Sequence, residues 1–248
     1  MRHVAGLTNG PAAEVWAGGA SIPGMRVPGQ LAGTRLPDPR CADRNQTSLT
    51  TAGEKAVSRI VVIEYTSLDG VIQGPGHAGE DTDGGFRQGG WTGPFMAEHG
   101  HYLSALFQAA GGFLLGRRTY DIWAPFWSQV TDESDRIARA LNTRPKYVAS
   151  ATLTEPAWAG TTVLRDVPGE VAALREQPGQ PILLMGSSAL AQSLIADGLV
   201  DEYQLWVHPV VLGGGKKLFR DGGPAISLRL ADSTTTGGGL VILTYQPA

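Results

Sequence analysis

Short apolar runs and amphipathic segments alternate along the chain from about residue 59 onward. Short runs rich in β-branched and other aliphatic residues indicate buried strands. The predicted strands are, in chain order, "RIVVIEY", "GFLL", "KYVAS", "TTVL", "ILLM", "DEYQLWVHPVV", "ISLRLADSTTT" and "LVILTYQ". Glycines at residues 237–239 separate the last two runs. This spacing predicts that they pair as an antiparallel hairpin.

Helical spacing predicts a long helix over "FMAEHGHYLSALFQAA", whose apolar face carries Met96, His99, Leu103, Leu106 and Phe107. Further helices are predicted from near Thr119, around residues 134–141, over "GEVAALRE" and over "SALAQSLIADG", with Gly198 as the C-cap of the last. Eight strands with intervening helices favour the α/β class and a three-layer α/β/α sandwich. Its eight-stranded sheet is expected to be mostly parallel, with an antiparallel C-terminal edge.

Two segments do not follow this alternation. Residues 1–56 carry scattered Gly and Pro without a sustained helical or strand period, which predicts a disordered N-terminal extension. Residues 74–93 form a Gly-rich connection that is longer than most loops within a domain. A mobile loop with a functional role is therefore expected there, and the folded domain is expected to span residues 57–248.

Composition narrows the classes of function. The chain has 248 residues, a net charge of -3 and no long basic block, which argues against nucleic-acid binding. No apolar run approaches the roughly 18 residues of a membrane span, and no signal-peptide pattern opens the chain. Its single cysteine, Cys41, excludes an internal disulfide and a zinc site built of cysteines, so no metal site is predicted. We expect a cytoplasmic protein.

Two predicted strand-to-helix turns carry groups that suit anions. In "FLLGRRTYDIW", Arg117 and Arg118 precede a predicted helix and could bind phosphate, although a solvated arginine pair is the simpler interpretation. In "MGSSALAQSLI", Gly186, Ser187 and Ser188 could bring helix amides to a phosphate, although serine is also a common N-cap. Two such turns in one parallel sheet favour a dinucleotide.

The ordered set "SLDGVI", "FLLGRRTYDIW", "RPKYVASATL", "MGSSALAQSLI" and "LVDEYQLWVHPVVLGGGKKLF" resembles the dihydrofolate reductase fold. The last segment most resembles the reductase domain of bacterial riboflavin biosynthesis. This resemblance covers about residues 58–247. It implies NADPH as the cofactor, a small-molecule substrate and a homodimer formed partly by the terminal strands.

The resemblance also assigns cofactor-binding roles. It implies that Arg117, Arg118 and Thr119 bind the 2′-phosphate, and that the loop 74–93, ending near Trp91, closes over the nicotinamide. It further implies contacts from Ser150 and Ala151 to the adenosine, from Gly186, Ser187, Ser188, Ala189 and Leu190 to the pyrophosphate, and from the backbone of Tyr65 and Ile72 to the nicotinamide carboxamide. The family usually has Gly-Gly where this chain has Ser187 and Ser188.

The substrate side departs from dihydrofolate reductases, because Met96 falls where their substrate-binding carboxylate is expected. The proton donor is therefore not assigned, and His99, Glu98 and Asp69 are its candidates. His99 could equally be a core histidine, and Asp69 is most simply a turn former. Helical spacing turns Glu98 away from the apolar face. His208 is interpreted as a strand residue.

These observations predict an NADPH-dependent reductase. The reaction that the resemblance implies is that of 5-amino-6-(5-phosphoribosylamino)uracil reductase, with hydride transfer to a small heterocyclic or sugar-linked substrate. One alternative is a reductase of dihydrofolate, or a promiscuous reductase of pterins and carbonyl compounds. Another is a nucleotide-binding protein without turnover.

Overall fold

A single sheet of eight strands organises the chain in the computed structural model, which describes residues 57–248 apart from the side chain of Glu98. The strands are β1 Ile60–Ser67, β2 Gly112–Gly116, β3 Lys146–Ala149, β4 Thr161–Leu164, β5 Ile182–Met185, β6 Glu202–His208, β7 Leu228–Thr235 and β8 Val241–Pro247. Their order in the sheet is β4-β3-β2-β5-β1-β6-β8-β7. The pairs from β4 to β6 are parallel, and β8 and β7 add an antiparallel edge.

Helices cover both faces of this sheet, which confirms the predicted three-layer architecture. They are α1 Met96–Ala109, α2 Arg117–Trp127, α3 Arg136–Thr143, α4 Val167–Glu176 and α5 Ser188–Ala196. Leu103, Tyr120 and Leu141 join α1, α2 and α3 to one apolar core, whereas Val171 and Leu194 join α4 and α5 to the other. The two cores follow from the alternation of side chains along the central strands.

Two helices begin away from their predicted residues. The structure begins α2 at Arg117 instead of near Thr119, because the extended Gly116 serves as its N-cap. The two arginines therefore lie in the first helical turn, not before it. The structure begins α3 at Arg136, because the side chain of Asp135 accepts hydrogen bonds from the amides of Ile137 and Ala138.

Two predicted turns have the expected geometry. Gly198 follows α5 in the left-handed conformation, with φ 66°. Its amide donates to Ile195 and the amide of Leu199 donates to Leu194, so it ends the helix as a Schellman motif. The hairpin between β7 and β8 is also present, with the amide of Gly239 donating to Thr236.

The predicted N-terminal extension, residues 1–56, lies outside the described residues. Across residues 57–248, every helix is too short or too polar to cross a membrane.

Candidate functional site

A cleft of about 1060 Å³ opens where β1, β2, β3 and β5 end, and we call it the ligand cleft. Residues 72–83 border it on one side and residues 215–221 on another. The predicted cofactor-binding residues that line it are Tyr65, Ile72, Arg117, Arg118, Thr119, Gly186, Ser187, Ser188, Ala189 and Leu190. Ser150 and Ala151 lie just beyond Ala149, which does line it. Ligands of parallel α/β sheets bind at this end of the strands.

Ser187 joins the two turns that the sequence singled out. It occupies the N-cap position of α5, but its side chain makes no capping hydrogen bond. Its Oγ instead accepts from the amide of Gly116 at 2.8 Å and lies 2.5 Å from Oγ1 of Thr119. A Cβ at Gly116 would lie 2.6 Å from that Oγ and 2.8 Å from Cβ of Ser187, so a larger residue there would displace the serine side chain. The N-cap interpretation is therefore wrong for the serine side chain.

The backbone of Ser187 also departs from the usual preferences of serine. Its φ of 64° and ψ of 59° are left-handed, and among residues 57–248 it is the one non-glycine residue with positive φ. This conformation costs a non-glycine residue of order 1–3 kcal/mol. Ser187 thus replaces a glycine of the usual Gly-Gly pair but keeps the left-handed backbone conformation that favours glycine.

Both arginines of the first turn already have carboxylate partners. Nε of Arg117 lies 2.8 Å from both carboxylate oxygens of Asp121. Nη1 of Arg118 lies 2.6 Å from Asp83, which also accepts from Nζ of Lys216 at 2.8 Å. An anion that binds Arg118 would therefore have to compete with Asp83.

Asp81, Asp83, Arg118 and Lys216 form a group that we call the rim cluster. Nζ of Lys216 lies 2.5 Å from Asp81, so this lysine bridges both aspartates. Hydrogen bonds from Lys216 and Arg118 lower the pKa of Asp83 to about 2. The cluster connects the loop 74–93 to the start of α2 and to the loop before residue 217.

The loop 74–93 is further held by Trp91 and Gln73. Trp91 is fully buried, and its Nε1 donates to the carbonyl of Gln73 at 2.9 Å. The Gln73 side chain donates to the carbonyls of Asp81 and Asp83 and accepts from the amide of Lys216. Closure of this loop over a nicotinamide stays a prediction.

Asp69, a proton-donor candidate, takes part in a turn outside the cleft lining. Its carboxylate accepts from Oγ of Ser67 and from the amides of Leu212 and Gly213. These hydrogen bonds, that of Ser67 foremost, lower the pKa of Asp69 to about 2. The geometry matches a turn former that ties the end of β1 to the loop after β6. The side chain of Glu98 lies outside the described part of the chain.

His99 and His208 form a buried pair in the core under α1. Their Nε2 atoms are 2.8 Å apart, and Nδ1 of His208 donates to the carbonyl of Trp206 at 2.8 Å. Burial lowers the pKa of His99 to about 3 and that of His208 to about 4, so both rings are neutral. Neither lines the ligand cleft, and His99 stacks on Tyr65 with ring centroids 4.6 Å apart. This places His99 in the core.

Glu64 is the cleft residue that sequence reasoning missed. It lies in β1, is 4% exposed and lines the cleft beside Glu80. Burial, and secondarily the charge of Glu80, raises the pKa of Glu64 to about 8. The available signal was a carboxylate within the otherwise apolar run "IVVIEY".

The ligand cleft has the size and the donors that a dinucleotide requires. Its volume of about 1060 Å³ lies slightly above the usual upper bound of about 1,000 Å³ for small-molecule and cofactor sites. The start of α5, which has no side-chain cap, borders it, and helix amides there suit a pyrophosphate. Within residues 57–248, no group of His, Cys, Asp and Glu side chains is arranged to hold a metal ion.

Comparison with known proteins gives one family and several relatives. The model of the RibD C-terminal domain family matches residues 59–242. The uncharacterized protein YyaP of Bacillus subtilis (strain 168) is 34% identical over 135 residues, which are 54% of this chain and 72% of YyaP.

Two solved structures share the fold. A candidate riboflavin biosynthesis protein from Shewanella sp. PV-4 superposes with a TM-score of 0.52 at 22% identity, covering 77% of this chain and 99% of that one. The diaminohydroxyphosphoribosylaminopyrimidine deaminase/5-amino-6-(5-phosphoribosylamino)uracil reductase of Thermotoga maritima gives 0.52 at 11% identity, covering 77% of this chain and 57% of that one. The chain thus spans little more than half of the Thermotoga protein. These likenesses confirm the predicted fold.

Proposed function

Because the chain belongs to the RibD C-terminal domain family, we propose that it is an NADPH-dependent reductase that transfers a hydride to a small heterocyclic or sugar-linked substrate. One observation carries this proposal. Separate segments that were each predicted to contact the cofactor, at β1, at the start of α2 and at the start of α5, line a single cleft.

The proposed cofactor site follows the cleft from one turn to the next. Arg117, Arg118 and Thr119 would hold the 2′-phosphate, and the amides at the start of α5 would hold the pyrophosphate. Tyr65 and Ile72 would contact the nicotinamide with their backbone groups. Bound there, the cofactor supplies the hydride, while the protein orients the substrate and excludes water.

The proposed substrate is a pyrimidine linked to a phosphorylated sugar, as in 5-amino-6-(5-phosphoribosylamino)uracil. Lys217 and Arg220 line the cleft and make no ion pair within residues 57–248. Such cations can bind a substrate phosphate. The test is NADPH oxidation with this substrate, with the product identified by mass spectrometry. Binding of NADPH without turnover of any such substrate would instead support a nucleotide-binding protein.

We expect the unmodified protein to bind NADPH more tightly than NADH. Charge-assisted contacts from Arg117 and Arg118 to the 2′-phosphate would contribute roughly 1.5–3 kcal/mol each at most. Displacement of Asp83 from Arg118 reduces that gain. Replacing both arginines by alanine should remove most of the preference and leave NADH affinity nearly unchanged, as measured by fluorescence titration.

Arg139→Ala is the matched control, because Arg139 is exposed on α3 and does not line the cleft. This control should keep the preference for NADPH. Equal affinities of the unmodified protein for the two cofactors would contradict the assignment of the arginines.

Dihydrofolate is expected to be a poor substrate. Met96 does not line the ligand cleft, and its sulfur lies 3.9 Å from Oγ1 of Thr92. Without a carboxylate at position 96, the donors of a pterin would lack a partner there, which costs about 1–3 kcal/mol. Steady-state rates at saturating NADPH should therefore be roughly tenfold to hundredfold below those of a dedicated dihydrofolate reductase. Comparable rates would show that another residue replaces that carboxylate.

A further inference from the structure

Glu64 is a buried carboxyl group in the middle of the parallel sheet. Strand β1 lies between β5 and β6, where Glu64 is paired with Leu205 and its neighbour Ile63 with Met185. These neighbours are apolar, and Oε1 of Glu64 has no hydrogen-bond partner within residues 57–248. A buried polar group that has no hydrogen-bond partner destabilises a fold, unless a ligand or water molecule supplies that partner. Because this carboxyl borders the ligand cleft, a bound ligand can supply the missing partner.

Within residues 57–248, no cation compensates a negative charge on Glu64. The cleft residue whose charge acts on Glu64 is Glu80, whose Oε2 accepts from the amides of Gly76 and His77. Lys216 is engaged by Asp81 and Asp83 in the rim cluster. The adjacent Tyr65 is neutral, because burial raises the pKa of its hydroxyl. Glu64 therefore keeps its proton at neutral pH, which is the state required of an acid.

We infer that Glu64 is the catalytic acid of the ligand cleft, delivering a proton to the substrate oxygen or nitrogen next to the carbon that is reduced. This inference rests on the proposed reductase function. The substrate carbon accepts the hydride that the cofactor supplies, and the π bond of its C=O or C=N group breaks. The electron pair of that bond goes to the heteroatom, which takes the proton of Glu64. The Glu64 carboxylate then recovers a proton from water, so each turnover consumes one hydride and one proton.

Glu64→Gln, Glu64→Asp and a control separate this role from a structural one. Glutamine keeps the shape of the side chain and cannot donate the carboxyl proton, whereas aspartate can donate it from a shorter side chain. Glu176→Gln is the control, because Glu176 is exposed at the end of α4 and does not line the cleft.

The first measurement needs no cofactor. Infrared difference spectra recorded from about pH 6 to pH 10 should show a protonated carboxyl group that ionises near pH 8. This signal should be absent from Glu64→Gln and retained in Glu176→Gln. A wild-type spectrum without it would overturn the inference, because the acid would already be ionised at neutral pH.

The second measurement uses turnover with NADPH. Glu64→Gln should lower kcat about 10²- to 10⁴-fold while changing the Kd for NADPH by less than about threefold. Glu64→Asp should retain part of kcat. The wild-type rate should decline above about pH 8, and the residual rate of Glu64→Gln should not.

The outcomes distinguish this inference from the proposed function. Full kcat in Glu64→Gln would overturn the role of Glu64 and leave the reductase function intact. An unmodified protein that binds no nicotinamide cofactor would contradict the reductase function itself. In that case the infrared titration would still establish whether the cleft contains a neutral carboxyl group.

Discussion

The free energy of unfolding should be greatest near pH 6.5 and should fall by roughly 3 kcal/mol between pH 6.5 and pH 4.5. Burial holds the pKa of His99 at about 3 and that of His208 at about 4, so their contribution is complete above the unfolded value of 6.5 and is lost as the pH falls. The raised pKa of Glu64, about 8 against 4.5, acts in the opposite direction. Between pH 4.5 and 6.5 the two histidines bind two protons in the unfolded chain and none in the folded protein, whereas Glu64 binds one proton only in the folded protein. Unfolding therefore takes up one net proton in this range.

Above pH 6.5 the sign reverses, because the histidines are then mostly neutral in both states and the loss of the Glu64 contribution dominates. Burial also raises the pKa of Glu80, which acts in the same direction as Glu64, whereas burial lowers the pKa of Lys146 to about 8, which acts in the opposite direction. The contribution of Glu64 is complete below the unfolded pKa of 4.5 and is lost as the pH rises toward 8. A net decline of about 1 kcal/mol between pH 6.5 and 8 follows, because the histidine contribution still rises slightly over this range. Urea unfolding followed by tryptophan fluorescence at several pH values measures both slopes.

Two variants test these assignments. Glu64→Gln should remove the decline in the free energy of unfolding above pH 6.5. It should also steepen the decline below pH 6.5, because the two histidine protons taken up on unfolding are then no longer offset by the proton of Glu64. His101→Gln should leave the curve unchanged, because His101 is exposed on α1. Stability that rises steadily from pH 6.5 to pH 8 would show that Glu64 is ionised in the folded protein.

Trp91→Ala should lower the free energy of unfolding by about 3–5 kcal/mol. The indole is fully buried, donates to the carbonyl of Gln73 and meets the ring of His208 edge-on at 5.1 Å between centroids. Its loss leaves a cavity and an unpaired carbonyl. Because Gln73 orders the loop beside the cleft, NADPH affinity should fall as well. Chemical denaturation at neutral pH and cofactor titration measure the two effects.

Trp91→Phe is the matched comparison, since it keeps an aromatic ring against His208 and loses only the donor and part of the volume. It should cost about 1–2 kcal/mol. A Trp91→Ala protein within about 1 kcal/mol of the unmodified one would mean that neighbouring side chains fill the space.

The local pattern of apolar and polar residues was sufficient to predict most of the strands and helices. The β-branched runs became the predicted eight strands, and Gly198 ended α5 as predicted because a left-handed residue after a helix favours glycine. The start of α2 was placed two residues late because Gly116 provides no side-chain signal for an N-cap.

The cleft was predictable only in part, and mostly through resemblance. The turns containing Arg117 and Ser187 were identified from strand-to-helix patterns, and both line the cleft. The partners of these turns could not be identified from local sequence. Asp83 is 35 residues from Arg118 and 133 from Lys216 in the chain, so their ion pairs exist only after folding.

The sequence by itself determined the strands, the helices, their α/β class and the two anion-friendly turns, because each depends on residues close together in the chain. The tertiary structure alone decided that Ser187 would bond Gly116, that His99 would meet His208 and that Glu64 would be neutral. The ionisation of a carboxyl group or an imidazole depends on the solvent and charges around it. Those surroundings come from β5, β6 and the loop 74–93, which folding brings together from distant parts of the chain.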